Sequence, residues 1–390
     1  MTPFYRVMDK VISIVAGNLF PLWLVGANLI ARLGGMIILL LIGHSFSPEI
    51  LGSYFTMLAT AGLAVTATQA GSGPLLIRLM QGGALPKALF VVAIRLLIAG
   101  LAVSILVSRP EFEIARHWPF LIMPVAAALS PDWVIAARTE FGRLGKIALI
   151  AQATGITFAV IAAEQTNDFL LFTIAPVISF TAFLSAIFLA LRPTTSRRKP
   201  VNADALDIRQ SIGLIGFTLL AGFLPNLDFV LLGDGEHSLF LAQRIFLFCG
   251  GLVAAISATF FAKQHGGLAR DLWLFVPMSL VSLALLVGPD QIANLIYGSS
   301  EATLISVLQN GAFWPLLLAL VTRQCLILQE TARAAWVGWF LLFMLVGSAA
   351  ILPNHQDAIE LIITCQLRLA AIYIVLSAFP FWSKGREARL

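Results

Sequence analysis

Apolar stretches of about 20 residues, the length a helix needs to cross a hydrocarbon layer, follow one another along almost the whole chain. Breaks at Pro, Gly and charged residues predict spans at 18–42, 53–77, 88–108, 118–137, 145–163, 168–191, 210–232, 239–262, 271–288, 302–328, 332–352 and 357–382. Helices are the natural reading, because backbone polar groups in lipid must be satisfied within the segment. Composition agrees with that reading. Hydrophobic residues make up 59% of the chain and charged residues 12%, with a mean hydropathy of +0.92, far from a soluble globular domain.

Lysine and arginine test the number of spans independently, since they collect in cytoplasmic loops. With the N-terminus inside, 19 of the 25 basic residues fall in inner segments, among them Arg138, Arg143, Lys146 and the run Arg197, Arg198, Lys199. Outer segments hold only Arg109 and Arg116, alongside acids such as Glu49, Glu113, Asp168 and Glu301. One span too many would scramble this alternation. Twelve transmembrane helices with both termini cytoplasmic are therefore expected. The net charge of +5 then reflects topology, and a nucleic-acid partner loses its main support. The N-terminal MTPFYRVMDK superficially resembles a signal peptide, but the apolar run after it is long and carries Arg32, so it reads as the first span. Cys249, Cys325 and Cys365 lie in apolar runs without CxxC or Cys/His spacing, which predicts neither disulfides nor a metal site.

The longest polar stretch, RPTTSRRKPVNADALDIR, sits between spans six and seven. It divides the chain into an N-terminal six-helix lobe (1–192), a cytoplasmic linker (193–209) and a C-terminal six-helix lobe (210–390). The junction SPEILGSYFTM between spans one and two has an outline counterpart, GEHSLFLAQRI, between spans seven and eight. Six spans per half make matching spans run in the same direction, a parallel repeat about an axis along the membrane normal. Two pseudo-symmetric lobes with a site between them follow.

Four arginines fall inside spans: Arg32, Arg95, Arg244 and Arg368. A guanidinium at the bilayer centre costs roughly 2.5 to 3.5 kcal/mol even on the lenient insertion scale, so such groups face protein or a wet cavity. Asn28 and Arg32 are four apart and share a helix face. An anionic ligand would explain the expense, because the planar arginine fork binds phosphate bidentately. Structural alternatives stand beside this: Arg95 lies near enough to the inner face to snorkel, and Arg244 has Asp228 across one short outer turn as an ion-pair partner. Asp228 and Asp132 are the candidate coupling acids. Asn28, Gln69 and Gln243 offer hydrogen bonds either to a ligand or between helices. Gly62, Thr66, Gln69 and Gly73 form a stripe on span two, as do Arg244, Gly251, Ala255 and Ala258 on span eight; close packing and a cavity wall both fit. No Walker loop, HExxH or GxSxG is present, so no cofactor, ATP hydrolysis or enzymatic role is expected.

Several segments resemble one family. These are N-x-x-x-R-L-G (Asn28–Gly34), S-P-E-I-L-G-S-Y (Ser47–Tyr54), L-P-N-L-D-F-V-L-L-G (Leu224–Gly233), A-Q-R-I (Ala242–Ile245) and I-Y-G (Ile296–Gly298). In that order the chain resembles a polysaccharide flippase of the multidrug/oligosaccharidyl-lipid/polysaccharide exporter superfamily. The resemblance implies a two-lobed bundle with a central cavity open alternately to each face. It also implies a bacterial inner-membrane location and an undecaprenyl-pyrophosphate-linked oligosaccharide as cargo, its lipid tail left among membrane lipids. Arg32 and Arg244 fall where cationic cavity residues are then expected, and polysaccharide polymerase or export proteins are implied partners. The competing expectations are a drug or cation antiporter of the same fold, whose site would favour acids and aromatics, a membrane glycosyltransferase or polymerase, which would need a larger outer loop, and a nonenzymatic scaffold in an export complex.

Overall fold

The computed structural model describes residues 33–69, 71–110, 112–193, 208–233, 236–248, 268–298, 301–331, 335–349, 351 and 357–387. Among these residues every regular element is helical. The first half comprises α1 (Leu33–Gly43), α2 (Pro48–Gln69), α3 (Gly73–Gln81), α4 (Leu85–Val107), α5 (Ile114–His117), α6 (Ile122–Leu129), α7 (Asp132–Ala137), α8 (Phe141–Gln165) and α9 (Asp168–Leu191). The second comprises α10 (Ile208–Phe223), α11 (Leu227–Leu232), α12 (237–248), α13 (Leu268–Val287), α14 (Pro289–Tyr297), α15 (Ala302–Asn310), α16 (Trp314–Thr331), α17 (Ala335–Ala349) and α18 (Ala358–Glu387).

The expected spans map onto these helices in order. Spans three, five, six and twelve are the single helices α4, α8, α9 and α18, whereas spans two, four, seven and ten are each interrupted. Among the described residues six stretches are long and apolar enough to cross a membrane, and two bent pairs raise that to eight. Helix α1 and the stretch Trp336–Ala349 are shorter apolar helices, and most of span eight lies outside the described residues. Helix α14 has no counterpart among the expected spans: it turns 93° away from α13. Its C-terminus is closed by Gly298 at φ +63°, the left-handed cap conformation that glycine adopts without strain.

Large apolar side chains cover the outside of the bundle, including Leu97 (75% exposed), Phe343 (77%) and Leu367 (66%). A water-soluble fold would bury them; here they are suited to face lipid. The threonines of α2 are satisfied locally. In α2 the hydroxyls of Thr56, Thr60, Thr66 and Thr68 each donate to the carbonyl four residues earlier, at 2.8 to 2.9 Å. In the C-terminal lobe α10 and α17 cross at glycines: a Cβ on Gly338 would meet the backbone nitrogen of Phe217 at 2.7 Å, and one on Gly216 would meet the Trp339 ring at 2.6 Å. Small residues let two backbones approach where lipid supplies no hydrophobic drive.

The interruptions have local causes. Ser130 takes ψ 122°, the extended conformation imposed on a residue before proline, and Pro131 starts α7 afresh. Between α2 and α3, Gly71 stands at φ +60°. Between α10 and α11, Pro225 removes a donor from the helix. The carbonyl of Pro225 is taken instead by the Gln243 amide, whose Nε2 donates to it at 2.7 Å and to Asn226 Oδ1 at 3.0 Å. Gln243 is fully buried. Gln243→Leu is expected to lower stability by about 1–3 kcal/mol, the cost of leaving a buried acceptor unmet; thermal unfolding of the purified protein measures it.

Candidate functional site

The two halves meet along α2. Two members of the small-residue stripe face the C-terminal lobe: a Cβ on Gly62 would lie 3.3 Å from Asn226 Nδ2, and Thr66 packs on Gly222, whereas a Cβ on Gly73 would meet nothing within 4 Å. Gly71, in the break beyond α2, sits against Ile215 and Thr218, so the seam between lobes takes up only part of the stripe. Gln69, at the end of α2, is exposed.

The end at which α1 turns into α2, expected to face outward, is more tightly joined. A Cβ on Gly52 would fall 2.4 Å from the Cβ of His237, and one on Gly43 would fall 2.2 Å from the carbonyl oxygen of Ile296. His44 packs in turn on Gly298, and Arg109 donates to the Val230 carbonyl at 3.4 Å. Contact with a backbone oxygen cannot be relieved by a rotamer change. Gly43→Ala is therefore expected to lower the thermal midpoint by several degrees, in line with the roughly 1–3 kcal/mol cost of overpacking, or to part the lobes at this end. Cysteine accessibility at exposed Ser47 separates the two results.

Arg244 lies at the centre of this junction. It sits on α12, half-buried, and its Nη2 donates to the carbonyl oxygen of Phe55 on α2 at 3.1 Å. The guanidinium also stands 5.3 Å from the centre of the Phe55 ring, a cation–π contact. Tyr54 and Tyr297, both buried, interact with it electrostatically; the Tyr297 hydroxyl donates to the Leu241 carbonyl at 2.9 Å. Among the described residues no carboxylate pairs with Arg244, and its Nε is buried without a hydrogen-bond partner. Each lobe also holds a cluster of buried aromatic groups packed on one another: Tyr54, Phe120 and Phe172 in the first, Phe229, Phe246 and Trp314 in the second.

The other predicted residues fall elsewhere. Asp228 does not pair with Arg244, as its position across the outer turn had allowed. It pairs with Arg368 of α18, Nη2 to Oδ1 at 3.0 Å, with both side chains nearly buried. Arg368 is fixed further, donating from Nη1 to Ser348 Oγ at 2.8 Å and from Nη2 to the Leu345 carbonyl at 2.6 Å. Two turns of α18 bring Arg368 over the α11 segment, and the helix break at Pro225 turns Asp228 towards it; helix breaks are not visible in an apolar count. Arg95 does not snorkel. It is 4% exposed, and its Nε donates at 2.7 Å to Ser72 Oγ in the α2–α3 break, while Ser72 Oγ donates to the Gln69 carbonyl at 2.5 Å. Asp132, exposed at the α6–α7 break, interacts electrostatically with Arg95. Arg244, Arg95 and Arg368 therefore occupy three separate environments. Asn28 and Arg32 lie outside the described residues. Among the described residues no group of His, Cys, Asp and Glu is arranged to hold a metal ion.

Sequence reading passed over Phe55, Tyr297, Ser72 and Ser348. A signal for the first two existed: Gly52 and Tyr54 of S-P-E-I-L-G-S-Y, Gln243 and Arg244 of A-Q-R-I, and Ile296 to Gly298 of I-Y-G converge here from distant parts of the chain.

The all-α, two-lobed bundle is shared by solved structures. The chain superposes on a mutant of the MATE transporter VcmN of Vibrio cholerae with a TM-score of 0.52 at 15% identity, covering 96% of this chain and 98% of the other. It is similar to a MOP superfamily transporter of Pyrococcus furiosus, with a TM-score of 0.52 at 13% identity, over 95% and 96% of the two chains. An inward-facing multidrug resistance MATE family transporter of the MOP superfamily gives 0.54 at 13%, over 93% and 95%. The fold is theirs, twelve helices in two lobes, and the two-lobed expectation stands. No protein-family model and no curated protein matches the sequence.

Proposed function

We propose that the chain is a transporter that moves a lipid-linked oligosaccharide with a pyrophosphate head from the inner to the outer leaflet of a bacterial inner membrane, by alternating access between the two lobes. One observation carries this reading: Arg244, a guanidinium set between the lobes, has no carboxylate partner among the described residues. A cationic group without an internal counter-ion suits an anionic cargo, and the arginine fork suits phosphate. Arg32 and Asn28, expected on one face of span one and outside the described residues, are the further residues proposed to meet the cargo. Arg95 and Arg368, each engaged within its own lobe, support the site by holding the broken helices.

A drug or cation antiporter of this fold would need an acid free to meet its cargo. Asp228 is held by Arg368, which disfavours that alternative. For the Pyrococcus furiosus transporter a reverse polarity of the binding pocket is described as suggesting a different function. For coupling, Asp132 is the better placed of the two acids, being exposed beside Arg95. The test is reconstitution: proteoliposomes loaded with a fluorescent undecaprenyl-pyrophosphate glycan, read by a membrane-impermeant quencher. Movement of the glycan lipid without movement of cationic dyes supports the proposal; the reverse pattern replaces it with the antiporter.

A further inference from the structure

The side-on fork of arginine is formed by Nε–H and the Nη2–H lying on the same edge, the pair that grips two oxygens of a phosphate at once. In Arg244 these two donors have different fates. Nη2 is bonded to the Phe55 carbonyl of the other lobe, while Nε is buried and unmet. An anion can take the whole fork only by displacing the Phe55 carbonyl. That bond is also one of two hydrogen bonds among the described residues that cross between lobes at the outer end, the other being the longer one from Arg109; the remaining contacts there are close packing on glycines.

We infer that Arg244 is a latch opened by its own ligand, so that binding a phosphate group and sealing the outer end of the lobe interface are competing uses of one guanidinium edge. The inference rests on the anionic-cargo reading above. Its consequence is directional. An anion reaching Arg244 from the inner side loosens the outer seal, and by linkage an opened outer end raises anion affinity by the same factor. Close packing of Gly43 on Ile296 and of Gly52 on His237 returns the seal once the anion leaves. Lysine at this position keeps the charge but has no fork, so it separates attraction from exchange.

The experiment uses full-length protein in lipid nanodiscs, with its three native cysteines replaced by alanine and spin labels at Ser47→Cys and Glu236→Cys, exposed positions on opposite lobes at the outer end. Inorganic pyrophosphate is titrated while binding is followed by calorimetry and the inter-label distance by pulsed electron resonance. The expected result is binding accompanied by a longer distance, with Arg244→Lys binding about tenfold more weakly and showing no lengthening. Bridging the two cysteines with a short bis-maleimide is expected to weaken pyrophosphate binding about tenfold. Binding at Arg244 with an unchanged distance, and no effect of the bridge, overturns the latch while leaving the anion site. Absence of binding at millimolar pyrophosphate overturns both.

Discussion

Arg244→Ala is expected to weaken binding of a pyrophosphate-headed lipid by about 10- to 100-fold and to abolish its translocation, while the protein still inserts and folds. The size follows from a charge-assisted hydrogen bond, about 1.5–3 kcal/mol, with each 1.4 kcal/mol a factor of ten in affinity. Folding survives because no carboxylate among the described residues depends on Arg244 for neutralisation; its removal strands only the Phe55 carbonyl, which water in an opened interface can satisfy. Arg244→Lys should retain part of the affinity, through charge alone. The measurements are lipid binding by native mass spectrometry and glycan-lipid transfer in proteoliposomes. Full activity in the alanine variant would remove the anion site from Arg244.

Asp228→Leu is expected to have the larger effect on stability. Arg368 is buried with Asp228 as its charge partner, and stripping one member from a buried pair costs about 3–5 kcal/mol, because the survivor's charge is left in a low-dielectric surrounding. Ser348 and the Leu345 carbonyl hold Arg368 in place but do not neutralise it. The double variant Asp228→Leu, Arg368→Met should recover most of the loss, since an apolar pair of similar volume is often no worse than the ions it replaces. Thermal unfolding in detergent reads all three proteins. If the double variant is as unstable as Asp228→Leu alone, Asp228 contributes something other than a counter-ion, and a coupling role returns.

The fold was legible because membrane helices are written in composition. Asp168–Leu191 was bounded to the residue by Asp168, the Asn167 cap that accepts from Leu170 at 3.2 Å, and the charge run after Leu191. What hydropathy does not carry is interruption: span two divides at Gly71 and span seven at Pro225 without any loss of apolar character. Those breaks decided the pairing of charges. Asp228 and Arg244 are close in sequence, and an unbroken hairpin would have joined them; the turn at Pro225 points Asp228 to α18, a helix 140 positions downstream. The snorkelling alternative for Arg95 fails for a similar reason, because its partner Ser72 is available only where α2 ends. Arg244 itself was legible as a lone basic residue in an apolar run, but its partner is a main-chain oxygen, which no side-chain pattern announces. The bent helix α14 was missed because its nine residues read as an ordinary outer link.

Helix α2 touches α4, α6 and α9 on one flank and α10 and α11 on the other, so among the described residues it is a long helix shared by both lobes. Gly62 within it and Gly71 just beyond its end sit on the α10–α11 segment like bearings in a hinge pin, whereas Gly52 near its start meets His237, which would have to swing clear. A rocking motion about such an axle would leave the lower seam nearly still and spend its whole travel at the rim. Side chains added along the seam should therefore slow the stroke, and side chains added at the rim should change where it comes to rest.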